Sequence, residues 1–221
     1  MIKFFSFGVN LIVHPTNPRV MPDLEICVKH QVPLIITSLG AVSDLVSAVH
    51  SYGGLVYHDI IKKRHAEKAA EAGVDGLILV AAGAGGHAGA LSPLALVNEI
   101  KSFFDKTILL SGCISTGRDI ASVLQMGADL AYMGTRFINV KESMADPKYQ
   151  EMIINSRAED IVYTAAVSGV NANFLRPSLE AMGITEELWG QSKKIDFGSE
   201  LDAAKAEAQA AAEASAVEDA A

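Results

Sequence analysis

Cysteine is scarce in this chain: its 221 residues include only Cys27 and Cys113. Two cysteines make no disulfide framework, and their spacing is not that of a metal site. A disulfide-stapled fold is excluded, and a reducing, cytoplasmic setting fits best. Positive charge is also in short supply. Lys and Arg total 18 against 26 Asp and Glu, for a net charge of −8. Binding to nucleic acid through general electrostatics is therefore excluded. No continuous apolar run reaches the roughly 18 residues needed to span a bilayer. The apolar stretch after Lys3 is interrupted by Ser6, Gly8 and Asn10, and no small-x-small cleavage site follows at residues 14–18, so it reads as a strand and not as a signal peptide. The six histidines show no H-x-x-x-H spacing, so no metal site is expected.

What the chain does have is apolar residues, at 50% enough for one large core. Short runs rich in β-branched or aromatic residues recur at 5–12, 33–38, 55–58, 76–80, 107–111 and 130–133. Segments with helical patterning separate them, at 23–30, 43–51, 64–72, 94–104 and 119–126. Ser43 is a candidate N-cap, while Gly73 and Gly127 are placed to end helices in the left-handed conformation. Strands alternating with helices imply βα units and a parallel sheet. Gly40, the loop at 83–89 and Gly112 all follow strands directly, where (β/α)₈ barrels bind ligands. The fold class is α/β, a TIM-type barrel with about six of its eight strands, as though the chain begins part-way into the barrel.

Residues 1–139 form this partial barrel. Residues 140–198 read as a mostly helical lid or substrate subdomain, carrying polar positions at Thr164, Ser168, Asn171 and Asn173. Residues 199–221 are rich in Ala and Glu, with six carboxylates against Lys205. Alanine favours helix, but few apolar residues could anchor a face, and a frayed tail is expected.

The most informative stretch is Gly83-Ala84-Gly85-Gly86-His87-Ala88-Gly89. It leaves the apolar strand at 76–80. Glycine lets backbone turn with positive φ and approach a ligand closely, and histidine is the side chain best suited to move a proton near neutral pH. Together they point to a ligand lying against bare backbone with an imidazole beside its reactive end. The last two strands each run into glycine, at Gly112 and Gly134. Backbone N–H groups freed at such turns and helix starts suit a phosphate, and the last two strands carry the usual phosphate site of barrel enzymes.

These residues, in order, resemble a known family. Gly73-Val74-Asp75-Gly76, Gly85-Gly86-His87-Ala88-Gly89, Leu110-Ser111-Gly112, Thr116-Gly117-Arg118-Asp119, Gly127-Ala128-Asp129 and Met133-Gly134-Thr135-Arg136-Phe137 are similar to motifs of the FMN-dependent nitronate monooxygenases, formerly 2-nitropropane dioxygenases. Phe7-Gly8-Val9-Asn10 resembles the family's asparagine-bearing strand. The resemblance runs from about residue 4 to about residue 200. It implies a TIM barrel that binds FMN without a metal. Asn10 and Gly85 would contact the flavin, while Gly112, Tyr132, Met133, Gly134 and Thr135 would hold the FMN phosphate and its surroundings. His87 would be the active-site base.

The implied reaction is oxidation of alkyl nitronates or nitroalkanes by O₂, giving carbonyl compound and nitrite. The partners are small molecules, with no nucleic acid or membrane, and a homo-oligomer is compatible with the sequence. The chain departs from the family pattern in several places. Val80 and Ala81 replace a glutamine–glycine pair, Gly83 a glutamate, Cys113 a glycine and Tyr132 a glutamine. Two other readings stand beside the leading one: a flavin-dependent enoyl-thioester reductase, which would share the barrel and histidine loop, and a shortened, non-catalytic remnant.

Overall fold

A computed structural model describes residues 7–192, 194, 195 and 198. The expected tail at 199–221 lies outside the described residues. Six strands of one sheet alternate with five helices, and a short seventh strand, Gly86–His87, interrupts the series. In chain order these are β1 (Val9–Ile12), α1 (Val20–Lys29), β2 (Leu34–Ser38), α2 (Ser43–His50), β3 (Leu55–Ile60), α3 (Lys63–Glu71), β4 (Gly76–Val80), β5 (Gly86–His87), α4 (Pro93–Lys101), β6 (Thr107–Ser111), α5 (Gly117–Gln125) and β7 (Leu130–Tyr132). There follow α6 (Pro147–Asn155), β8 (Ile161–Thr164), β9 (Ala172–Leu175) and α7 (Arg176–Ala181).

The main sheet is parallel, in the order β1-β2-β3-β4-β6-β7. Its order never reverses, which separates it from doubly wound folds, where the strand order turns back at a switch point. Among the described residues it is a parallel six-stranded sheet of (β/α)-barrel type, as expected. Side chains alternate across it. Ile35, Val56, Ile60, Leu77, Leu79, Ile108 and Leu110 pack into the sheet–helix core with Leu24, Val46, Val49, Ala66, Ala69, Leu96 and Ile100. The small side chains of Ala66 and Ala69 bring α3 close to the sheet, while Lys62, Arg64, Glu67 and Lys68 remain outside. Ile78 and Leu109, paired in register, are buried but lie outside that cluster, on the other face.

Helix ends follow the glycines. Gly73 ends α3 at φ +89°, with its N–H donating to Ala70 and the Val74 N–H to Ala69, the paired bonds of a Schellman cap. Gly127 ends α5 at φ +101°. Ser43 is not the N-cap of α2. Val42 takes that place, and Ser43 is the first helical residue. At β4 and again at β7 an aspartate clamps the strand to its neighbour. The Asp75 N–H donates to the Val56 carbonyl, and Asp75 Oδ2 accepts from the Val56 N–H at 2.8 Å. Asp129 makes the same pair of bonds with Ile108. Asp75→Ala strands a partly buried N–H, which costs about 1–3 kcal/mol. A fall of that size in chemical-denaturation stability is the expected result.

The expectation of a mostly helical segment at 140–197 missed a sheet. β8 and β9 form an antiparallel hairpin, and β9 also pairs with β5. Ile161-Val162-Tyr163-Thr164 has alternating burial and β-branched or aromatic composition, which is strand patterning. Of the polar positions noted in this segment, Thr164 ends β8, Asn173 lies in β9, and Ser168 and Asn171 lie in the connection between the two strands.

Candidate active site

Register places one set of side chains on the sheet face opposite the helices. Asn10, Ile12, Ser38, Asp59, Val80, Ser111 and Tyr132 share the parity of Ile78 and Leu109. All seven line one cavity of about 870 Å³ at the carboxyl ends of the strands. His87 and Gly85 line it from the glycine loop, and Tyr163, Gly169, Val170 and Asn171 from the hairpin segment. A volume of this order suits a cofactor-sized ligand. The position is where barrel folds place their chemistry.

The hairpin holds the glycine–histidine loop. Gly86 pairs with Asn173 and His87 with Ala172 across β5 and β9. Asn173 Nδ2 donates to the Ala84 carbonyl at 2.8 Å, the Tyr163 hydroxyl to the Ala88 carbonyl at 3.0 Å, and the Ala88 N–H to the Asn171 carbonyl at 3.2 Å. His87 Nε2 lies 3.1 Å from Ser168 Oγ, which in turn donates a long bond to the Val170 carbonyl at 3.4 Å. Ser168 is buried and orients the imidazole.

Two glycines of the loop are required by contact. A Cβ on Gly85 would stand 2.5 Å from Thr135 Oγ1, so the loop and the β7 end meet there. Gly83 sits at φ +83°, and a Cβ on it would collide with Cys113 Sγ. Gly112, at φ +135°, brings the β6 end against the Ala82 carbonyl. Of the residues assigned to a flavin or its phosphate, Asn10, Gly85 and Tyr132 line the cavity, as does His87. Gly112, Met133, Gly134 and Thr135 lie at the adjoining β6 and β7 ends and not on the cavity wall. Met133 packs against the sheet–helix core, so only its backbone faces the turn. At the start of α5 an aspartate occupies the Ser115 and Thr116 donors. Asp119 Oδ2 accepts from the Ser115 and Thr116 N–H groups and from Thr116 Oγ1, and these bonds hold its carboxyl below the usual range.

Sequence reasoning missed Asp59. Burial pushes its carboxyl up to about 6, opposed by the Ser38 hydroxyl, which donates to Oδ2 at 2.7 Å. Ser38 also meets the Asn10 amide at 3.3–3.4 Å. Next to Asp59 in sequence, His58 is buried against Thr37 Oγ1 at 2.7 Å, and burial with the nearby His65 lowers it to about 4. Burial and the Asp59 charge raise the Tyr132 phenol. The Asp59 and His58 shifts act on stability in opposite directions. Asp59 titrates higher in the fold than its ordinary 3.8, so its contribution is full below 3.8 and lost as pH rises through about 6. His58 titrates lower than its ordinary 6.5, so its contribution is full above 6.5 and lost as pH falls through about 4. Each is worth about 3 kcal/mol at most, and over the shared window they largely cancel.

The fold and cavity define a (β/α)-barrel protein with a cavity over its strand ends, bordered by a hairpin that holds the histidine loop and sets the Ser168 hydroxyl against the His87 imidazole. A model of the nitronate monooxygenase family matches residues 9–219. The chain belongs to that family of oxidoreductases. A putative monooxygenase of Mycobacterium tuberculosis is 30% identical over 166 residues, covering 74% of this chain and 44% of the relative. A nitronate monooxygenase of Paraburkholderia phytofirmans is 27% identical over 150 residues, covering 64% and 41%. The chain spans about half the length of the curated relatives it matches. Among solved structures, FabK from Thermotoga maritima aligns with a TM-score of 0.71 and 28% identity over 82% of this chain and 59% of that one. A nitroalkane oxidase from Streptomyces ansochromogenes shares the fold at a TM-score of 0.70 and 22% identity, over 76% and 61%. Among the described residues no helix is long and apolar enough to cross a membrane.

Proposed function

We propose that this chain carries the FMN and substrate site of a nitronate monooxygenase, oxidising alkyl nitronates or nitroalkanes with O₂ to carbonyl compound and nitrite. The observation that carries this reading is the convergence of His87, Gly85, Asn10 and Tyr132 on one cavity in a chain of that family. The residues fit a flavin. Gly85 is bare where any side chain would strike Thr135, the cavity has a cofactor's volume, and a buried carboxylate oxygen of Asp59 lacks a partner in it. Asn10, Gly85 and Tyr132 would border the ring, and the Gly112 and Gly134-Thr135 turns the phosphate. Bound FMN would supply the electron acceptance that the side chains lack.

The chain's own groups handle the proton and the geometry. A neutral nitroalkane must lose a proton from carbon, and His87 is the base for that step, its imidazole positioned by the Ser168 hydroxyl beside Nε2. Segment 140–198 acts as the lid or substrate subdomain, its Tyr163, Val170 and Asn171 excluding water above the loop. Both substrates are small molecules. Nitrite release from an alkyl nitronate by the FMN-loaded chain, absent without FMN, tests the reading. Gly134 has open space around it. Gly134→Ala is therefore expected to weaken FMN binding severalfold while sparing riboflavin binding and thermal stability, which isolates the phosphate turn.

A second reading, enoyl-thioester reduction, is favoured by the similarity to FabK. NAD(P)H consumption that depends on an enoyl thioester, with no nitrite from a nitronate, would select it.

A further inference from the structure

Among the described residues Asp59 is the one carboxylate on the cavity wall, and its second oxygen has no assigned role. Oδ2 is held by Ser38 at 2.7 Å, whereas Oδ1 is buried with no hydrogen-bond partner. A buried acceptor left without a donor is costly, and here it borders a space made for a ligand. Its neighbours place it between two residues already assigned to the flavin. Asn10 reaches it through Ser38, and the Tyr132 phenol feels its charge. All four side chains share one sheet face.

The geometry points to Asp59 as a flavin-binding residue, its Oδ1 accepting the imide N–H of the isoalloxazine, with Ser38 and Asn10 as the positioning residues behind it. This rests on the flavin reading of the cavity. An oxidised isoalloxazine offers a single N–H, on its pyrimidine edge, and a carboxylate is a stronger acceptor for it than a neutral group. The ionised form of Asp59 binds the ring best, so affinity is full above the free-state pKa of about 6 and is lost as pH falls through it. Among the described residues the other ionisable groups on this cavity are His87, His65, Lys68, Tyr132, Tyr163 and His58. A variant at Asp59 separates its titration from theirs.

Riboflavin is the probe, because it lacks the phosphate, whose own second ionisation falls near pH 6. Quenching of its fluorescence by the full chain gives the dissociation constant across pH 5–8. The expected affinity rises about tenfold from pH 5 to 7, which is one pKa unit of coupling. In Asp59→Asn the rise disappears, and binding at pH 7 is weaker by about tenfold. Ser38→Ala keeps the carboxyl but removes the hydrogen bond that lowers its pKa, and moves the midpoint of the rise to higher pH. Asp59→Asn with the affinity and pH profile of the unsubstituted protein overturns the assignment while leaving the flavin reading intact. So does an unmoved midpoint in Ser38→Ala. Failure of the unsubstituted chain to bind either riboflavin or FMN overturns both.

Discussion

Replacing His87 with alanine lowers kcat/KM for a neutral nitroalkane by about 10²- to 10⁴-fold, the range a positioned general base contributes. The same variant loses less than about tenfold on the preformed nitronate, whose carbon has already given up its proton. This asymmetry is the signature of a base, since a merely structural histidine would lower both rates together. The structure adds a second handle. Ser168 fixes His87 Nε2 at 3.1 Å, so Ser168→Ala leaves the base present but less well aimed, and its losses follow the same order at smaller size. Steady-state rates on the paired substrates, a nitroalkane and its own nitronate, make the comparison. Equal losses on both would remove His87 from proton transfer.

The other large effect belongs to Gly85. Its Cβ position lies 2.5 Å from Thr135 Oγ1, so Gly85→Val must push the loop away from the β7 end and fill the cavity where the flavin ring is placed. Overpacking of this kind costs about 1–3 kcal/mol. If it falls on the bound state, FMN affinity drops by about tenfold to a hundredfold. Gly134→Ala is the comparison: nothing lies within 4 Å of its Cβ position, and its smaller FMN loss at the phosphate turn leaves riboflavin binding unchanged, whereas Gly85→Val weakens both. Titration of each variant with FMN gives the dissociation constants, and thermal melts show whether the loss lies in binding or in folding. Normal FMN affinity in Gly85→Val would mean that the flavin does not lie against this loop.

Much of the barrel was legible because its strands carry a strong local signal. Gly76–Val80 and Thr107–Ser111 were found to the residue: short runs with apolar centres, flanked by charged residues or glycines, leave few alternatives. Gly73 and Gly127 gave the helix ends for the same reason, as positive-φ positions. Residues 161–175 were not legible. Their strands are short, and β9 finds half of its pairing in a two-residue strand, Gly86–His87, more than 80 residues earlier. No local pattern announces a partner that distant.

His87 was found in its loop, but the group that aims it was not. Ser168 lies 81 residues away and carries no motif. Asp59 was overlooked although a signal was present. It is a carboxylate inside a mostly apolar strand, and its parity, opposite to that of the strand's buried Val56 and Ile60, puts it on the ligand-facing side. Two departures from the family pattern, read separately in the sequence, are one feature in space. Cys113 Sγ occupies the room that a side chain at position 83 would need, so glycine at 83 and a larger residue at 113 go together.

The account rests on the chain holding a flavin over these strand ends, and the visible absorption spectrum of the purified 221-residue protein, before and after incubation with FMN and removal of the excess, tests that most directly. A yellow protein retaining flavin close to one per chain is the predicted result. A folded, colourless protein that FMN does not convert would contradict it.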